Sequence, residues 1–159
     1  MFPELGYWLP IKDGDERAFA LYQRHYSYKR YTDGRRQRYG YPNRFLIVGP
    51  GEKMLLLEAS GHALMVWRRF RDDSGQQGVN CAVFRNESRW RSSALLREAM
   101  ELAWRRWPGQ RLYTYVDPRA VRSANAGYCF KCAGWRACGT TKVRKLTILE
   151  CKAPLQGEI

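Results

Sequence analysis

The chain has 159 residues, with 28 Lys plus Arg against 15 Asp plus Glu, and so a formal net charge of +13. That length suits one domain with a real core, and 45% hydrophobic content with 14% aromatics excludes a disordered basic tail, which lacks the apolar surface to offset chain entropy. No apolar run of about 18 residues is present to span a bilayer, and the start, Met1 to Pro10, lacks the basic and apolar regions of a secretory signal. The expectation is a cytosolic protein with no membrane partner.

In chain order, the first distinctive stretch is an arm from Tyr22 to Arg44. It holds seven basic residues (Arg24, Lys29, Arg30, Arg35, Arg36, Arg38 and Arg44), one acid (Asp33) and six of the ten tyrosines. Apolar aliphatics nearly vanish there, so the arm reads as surface or loop. Phe45 to Val48 is then a short buried run stopped by Gly49-Pro50-Gly51. Met54–Ala59 and His62–Phe70 read as two strands around a Ser60-Gly61 turn. A polar loop from Arg71 to Gln77 leads to a third strand, Gly78–Phe84, and the three should form an antiparallel meander.

Leu95, Leu96, Ala99, Met100, Ala103 and Trp107 recur at helical spacing. Ser92 or Ser93 can cap that helix, and Pro108-Gly109 stops it. Arg111–Val116 is again a strand, parallel to the third through a right-handed crossover. Asp117-Pro118 reads as a cap followed by a first-turn proline, opening a broken helical region to Ala133 that Gly134 ends. Val143–Glu150 is the last strand.

Five cysteines (Cys81, Cys129, Cys132, Cys138 and Cys151) without an export signal point to reduced thiols. Cys129 and Cys132 have CxxC spacing, but the only histidines are His25 and His62. Two small apolar residues on adjacent helical turns is the preferred reading over structural zinc.

The element order resembles the GNAT acyltransferase fold: an α/β (α+β) domain spanning 1–159, with a mixed, mostly antiparallel sheet and helices on both faces. GNAT proteins carry an R/Q-x-x-G-x-G/A loop that holds the coenzyme A pyrophosphate at a helix N-terminus, and Arg89-Trp90-Arg91-Ser92-Ser93-Ala94 is similar to it. Their N-x-x-(Y/F)-x-x-x-G-F motif resembles the stretch Asn125 to Trp135, which includes Tyr128 and Gly134. Over most of Leu55 to Glu150 a narrower resemblance holds, to the Mom DNA-modification proteins of Mu-like phages. It is carried by Cys81 to Glu87, Tyr113 to Asp117, Asn125 to Trp135 and Gly139 to Lys142. This resemblance implies a phage enzyme acting in the host cell cytoplasm. Such an enzyme converts adenines in double-stranded DNA to N6-carbamoylmethyladenine, which protects phage DNA from host restriction.

The exocyclic N6 of adenine is a poor nucleophile, because its lone pair is delocalised into the ring. An enzyme must take the base out of the stack, hold its edge and assist proton removal. The arm has the composition for gripping DNA. Arg24, Lys29, Arg30, Arg35, Arg36 and Arg38 suit phosphates, and Tyr39 and Tyr41 suit stacking. A solvated charged loop is the plain alternative.

His25 lies among arginines, which disfavour its charged form and leave a neutral imidazole able to bind a metal or accept a proton. The Mom resemblance implies a catalytic role for the His25-Tyr26 pair and iron as a possible cofactor. A histidine that contacts phosphate is the alternative. Asp117 falls at a strand's carboxyl end, where ligands gather in open α/β sheets, so it is a candidate base or, with His25, a metal ligand. It reads equally as a helix cap.

Arg85, Arg89 and Arg91 surround the N-terminus of the central helix, where free amides favour an anion. A donor phosphate or a DNA phosphate fits there, with Ser92 and Ser93 as partners. GNAT enzymes use glycine at the position of Ser92, so serine argues against an ordinary coenzyme A site. Tyr128 falls where many GNAT enzymes keep a tyrosine that protonates the departing thiolate; packing against Phe130 and Trp135 is its alternative.

Attack on an acetyl thioester bonds nitrogen to a carbonyl carbon, whereas carbamoylmethyl bonds it to a CH2. Acyl transfer from acetyl-CoA alone therefore cannot make this product in one step: either the small-molecule donor differs, for instance by carrying a glycine-derived unit that also brings the amide nitrogen, or a metal-assisted rearrangement intervenes. Two other functions remain on the residues alone: a coenzyme A-dependent N-acetyltransferase of a small-molecule or protein amine, and a non-catalytic DNA-binding module. The oligomeric state, a homodimer included, stays open.

Overall fold

The computed structural model describes residues 6–28, 45–71, 75–120 and 127–155. Among these residues it has seven strands and three helices: β1 (Trp8–Ile11), α1 (Glu16–Gln23), β2 (Glu52–Glu58), β3 (Ala63–Arg69), β4 (Val79–Asn86), α2 (Ser92–Arg106), β5 (Leu112–Val116), α3 (Tyr128–Cys132), β6 (Arg136–Thr140) and β7 (Thr147–Cys151). The strands form one α+β sheet in the order β1-β2-β3-β4-β5-β7-β6. Every neighbouring pair is antiparallel except β4 and β5, which are parallel as the intervening helix requires.

Both faces of the sheet are covered, and the sequence shows why. Leu55-Leu56-Leu57 and Ala63 to Trp67 are continuous apolar runs, the pattern of strands buried on two sides. Leu56, Met65 and Trp67 pack with Leu96, Ala99 and Phe130, under α2 and α3. Leu55, Leu57, Leu64 and Val66 pack with Ala18, Phe19 and Leu21 of α1. Polar tips on the large rings are satisfied: the Trp67 indole donates to the Ala99 carbonyl at 3.0 Å and the Trp8 indole to the Leu95 carbonyl at 2.8 Å.

Several expectations are corrected. β1 and α1 are elements that the sequence reading did not assign. Asp15 caps α1 through its side chain. Tyr22 belongs to α1 rather than to a surface arm, and its ring meets Phe19 and Tyr28 at centroid distances of 6.1 and 5.2 Å. Phe45 packs on Phe19 as well, at 5.7 Å. Phe45 to Val48 belongs to none of the strands; the Asp13 carboxylate takes the Ile47 and Val48 amides at 2.7 and 3.0 Å.

Neither Ser92 nor Ser93 caps α2. Arg91 is the N-cap, with no side-chain bond to the helix, and the Ser92 hydroxyl instead accepts from Asn86 Nδ2 at 2.9 Å. Asp117 caps a turn through Ala120; residues 121–126 of the expected helical region lie outside the described residues, and the helix described before Gly134 is α3. The last strand begins at Thr147, not Val143, which is 91% exposed. β6, exposed along its whole length, was not assigned.

Candidate active site between the parallel strands

The parallel ladder between β4 and β5 is two rungs long, Val79 with Leu112 and Asn80 with Tyr113. Beyond it the strands part. Ala82 is an extra residue in β4, since Val66 faces Val83 and Trp67 faces Cys81, and such a bulge bends and twists its strand. Separation frees backbone groups that need partners. The Thr114 hydroxyl donates to the Cys81 carbonyl at 2.9 Å, and the Tyr26 hydroxyl donates to the Tyr115 carbonyl at 3.2 Å.

A cavity of about 190 Å³ opens where the strands separate. β4 lines it with Asn80 to Ala82 and Phe84, β5 with Thr114 to Val116, and the segment after α1 with His25, Tyr26 and Ser27. Asp117 and Arg144 stand at its edge. The fold thus brings together His25, Tyr26 and Asp117, which lie some 90 residues apart in the chain. The volume is below the roughly 300–1,000 Å³ of drug-sized ligand sites, so it admits a single base or a comparably small group and not a whole coenzyme.

His25 stacks on Tyr26, with centroids 4.5 Å apart and planes at 27°. Burial, and then the nearby Arg85 charge, pull its pKa down to about 4, so the ring is neutral at physiological pH. Its Nδ1 lies 2.7 Å from the Ser27 hydroxyl and accepts from the Ser27 amide at 3.1 Å, which leaves the hydroxyl as a second donor to the same nitrogen. A neutral imidazole whose Nδ1 is an acceptor carries its proton on Nε2. His25, which lines the cavity, is therefore arranged as an N–H donor and not as a base.

The same geometry tests the expected iron. A histidine that ligates through Nε2 holds its proton on Nδ1 and donates it to a carbonyl or carboxylate, and the Ser27 amide occupies that position. Among the described residues no three His, Cys, Asp or Glu side chains gather as a metal set. His25 and Asp117 alone do not fit resident iron, and no step below runs through a metal.

Tyr26 keeps its proton, because burial raises its pKa. Asp117 is held ionised. The Arg119 amide, at 2.9 Å from Oδ1, lowers its pKa most, and the Arg119 guanidinium adds to this at 3.2 Å. That makes it a weak base.

The other predicted site residues are arranged differently. Arg24 and Arg85 both bind the Glu87 carboxylate, Arg24 at 2.7 and 2.9 Å and Arg85 at 2.9 Å. Arg24 thus ties the end of α1 to β4. Arg89 lies over the Trp90 ring at 4.5 Å. Arg91, Ser92 and Ser93 are at the start of α2. Tyr128 does not line the cavity: it is 60% exposed, with its hydroxyl bonded to Cys132 and the Arg91 charge nearby. Lys29, Arg30, Arg35, Arg36, Arg38, Tyr39, Tyr41, Arg44 and Asn125 lie outside the described residues.

One cavity residue was not singled out from the sequence. Asn80 is 8% exposed, and its Oδ1 has no hydrogen-bond partner. Leaving a buried amide oxygen unpaired costs about 1–3 kcal/mol. The signal was present, as one amide inside the otherwise apolar run Val79 to Val83.

His25 also predicts a pH effect. Its pKa is 6.5 in a free chain and about 4 here, so between those values the unfolded chain binds the extra proton. Stability falls as pH drops from about 6.5 to 4, by about 3 kcal/mol in the limit, and this group has little effect above that range. Glu87, whose carboxyl Arg24 holds down to about 2 from 4.5, adds its own loss as pH falls from about 4.5 to 2. Urea denaturation at pH 7, 6 and 5 should show this decline in the native chain and a flatter one in His25→Gln. Equal slopes would assign the decline to other groups.

Comparison of the chain with protein-family models, curated proteins and solved structures returns no match. Among the described residues no helix is long and apolar enough to cross a membrane.

Proposed function

We propose that the chain is a GNAT-like transferase of the Mom type. It adds a carbamoylmethyl group to N6 of adenine in double-stranded DNA, in the host cytoplasm, and so protects phage DNA from restriction. The observation that carries this reading is the cavity between the separated β4 and β5, where His25, Tyr26 and Asp117 converge directly before the Arg- and Tyr-rich segment. A pocket the size of one base suits an enzyme that extracts its target from the duplex. The Nε2–H of His25 supplies a fixed donor to an oxygen or ring nitrogen that gains charge during transfer. Tyr26 closes one wall and offers a ring for stacking.

The test is mass spectrometry of nucleosides from plasmid DNA after expression of the chain in bacteria. A modified deoxyadenosine heavier by one carbamoylmethyl group is expected. Unmodified deoxyadenosine throughout, from well-folded protein, would sink the proposal.

A second reading, a coenzyme A-dependent N-acetyltransferase, is favoured by one observation. No side chain caps the first turn of α2, and Arg89 and Arg91 flank it, a setting that attracts a phosphate. Calorimetry with acetyl coenzyme A tests this second reading: the acetyltransferase requires binding, and no detectable binding excludes it.

The arm gives a further prediction from sequence charge. Replacing Arg35, Arg36 and Arg38 together by alanine should weaken DNA binding and reduce the slope of log K against log salt by about 3. An unchanged slope would mean that these charges do not meet phosphates.

A further inference from the structure

The cavity contains one group for which neither the fold nor the roles above account. Asn80 sits on the last rung of the parallel ladder, opposite Tyr113, at the point where β4 and β5 separate. It is 8% exposed, it lines the cavity that His25 and Tyr26 also line, and its Oδ1 has no partner. Its neighbours Val79 and Cys81 belong to the apolar core, so a leucine would suit this place in the sheet at least as well. Buried amides that are there for the fold are bonded. An amide oxygen accepts only, so whatever completes it must bring an N–H or O–H.

We propose that Asn80 reads the exocyclic amino group of the base taken into this cavity, with Oδ1 accepting a hydrogen bond from N6 of adenine. This rests on the adenine reading above and deepens it. Asparagine pairs with adenine because one amide can accept from N6 and donate to the adjacent ring nitrogen. In this rotamer the Oδ1 atom is buried and unbonded. A turn about the soft Cβ–Cγ bond brings it to the entering base. A base lacking the amino group leaves Oδ1 unpaired, and that is the source of discrimination.

The experiment uses the full chain and two probes, deoxyadenosine monophosphate and purine deoxyriboside monophosphate, which differ only in the amino group. Binding is followed by NMR, with the Asn80 side-chain amide resonances assigned. The native chain should prefer the adenine nucleotide by about 5- to 150-fold and shift the Asn80 amide signals. Asn80→Leu should lose that preference while melting no lower than the native chain, which a merely structural asparagine would not allow. Equal affinity for the two probes, a preference that survives in Asn80→Leu, or no binding of either probe overturns the inference. If the preference is found but cellular DNA carries no modified adenine, the transferase reading fails and the role of Asn80 stands.

Discussion

Replacing His25 with alanine is expected to lower adenine modification by about 10²- to 10³-fold, the usual effect of removing one preorganised hydrogen-bond donor. The fold should survive, because His25 is outside both apolar cores. His25→Gln makes the test specific. Glutamine offers an N–H donor but is no base, so it should recover part of the activity if His25 acts through Nε2–H as the Ser27 amide bond indicates. A glutamine variant as inactive as alanine would assign His25 the role of base. The pH profile gives an independent reading. With a ring that titrates near 4, the rate should show no histidine inflection between pH 5.5 and 8, and an inflection near 6.5 would contradict the neutral donor.

Gly78→Ala is expected to be the most damaging single change to stability outside the apolar cores. Gly78 has φ +124°, a region that side chains rarely adopt, and a Cβ there would overlap the Arg111 carbonyl oxygen. That oxygen accepts the Val79 amide at 2.8 Å and begins the parallel pairing. Strain and collision fall on a ladder only two rungs long. The expected loss is about 3 kcal/mol or more, or roughly 6–12 °C in Tm for a chain of this size. Calorimetric melting measures it, and a Tm within about 2 °C of the native value would show that the β4–β5 junction relaxes freely. Because that junction sets where the cavity opens, the variant should also lose the ligand-induced shift at Asn80.

Legibility of the fold followed the strength of local pattern. β2, β3, β4 and α2 were read within two or three residues of their ends, because Leu55 to Leu57, Ala63 to Trp67 and the Leu95-to-Trp107 stripe carry strong apolar periodicity. α1 had signals that the reading passed over: Asp15 as cap and Ala18, Phe19 and Leu21 on one face. The tyrosines of the arm hid it, since Tyr22 and Tyr28 read as surface yet pack on Phe19. β1 is a four-residue edge strand that includes Pro10, and β6 is exposed on both faces. Neither has an alternation to detect, and each exists because the neighbouring strand offers it hydrogen bonds.

By itself the sequence determined a folded, basic, arginine-rich chain whose charge gathers in Tyr22 to Arg44 and before the central helix. It also determined the strand-and-helix order around that helix. Those properties follow from composition and short-range periodicity, which need no knowledge of distant contacts. Only the tertiary structure decided that His25 lines the cavity between β4 and β5, and that burial keeps its ring neutral. It alone showed that Arg24 and Arg85 share Glu87 and that Asn80 is left with an unpaired oxygen. The physical reason is that each depends on where β4 and β5 separate. That point is set by a two-rung register, a bulge at Ala82 and a glycine at position 78, all relations between residues that lie far apart in the chain.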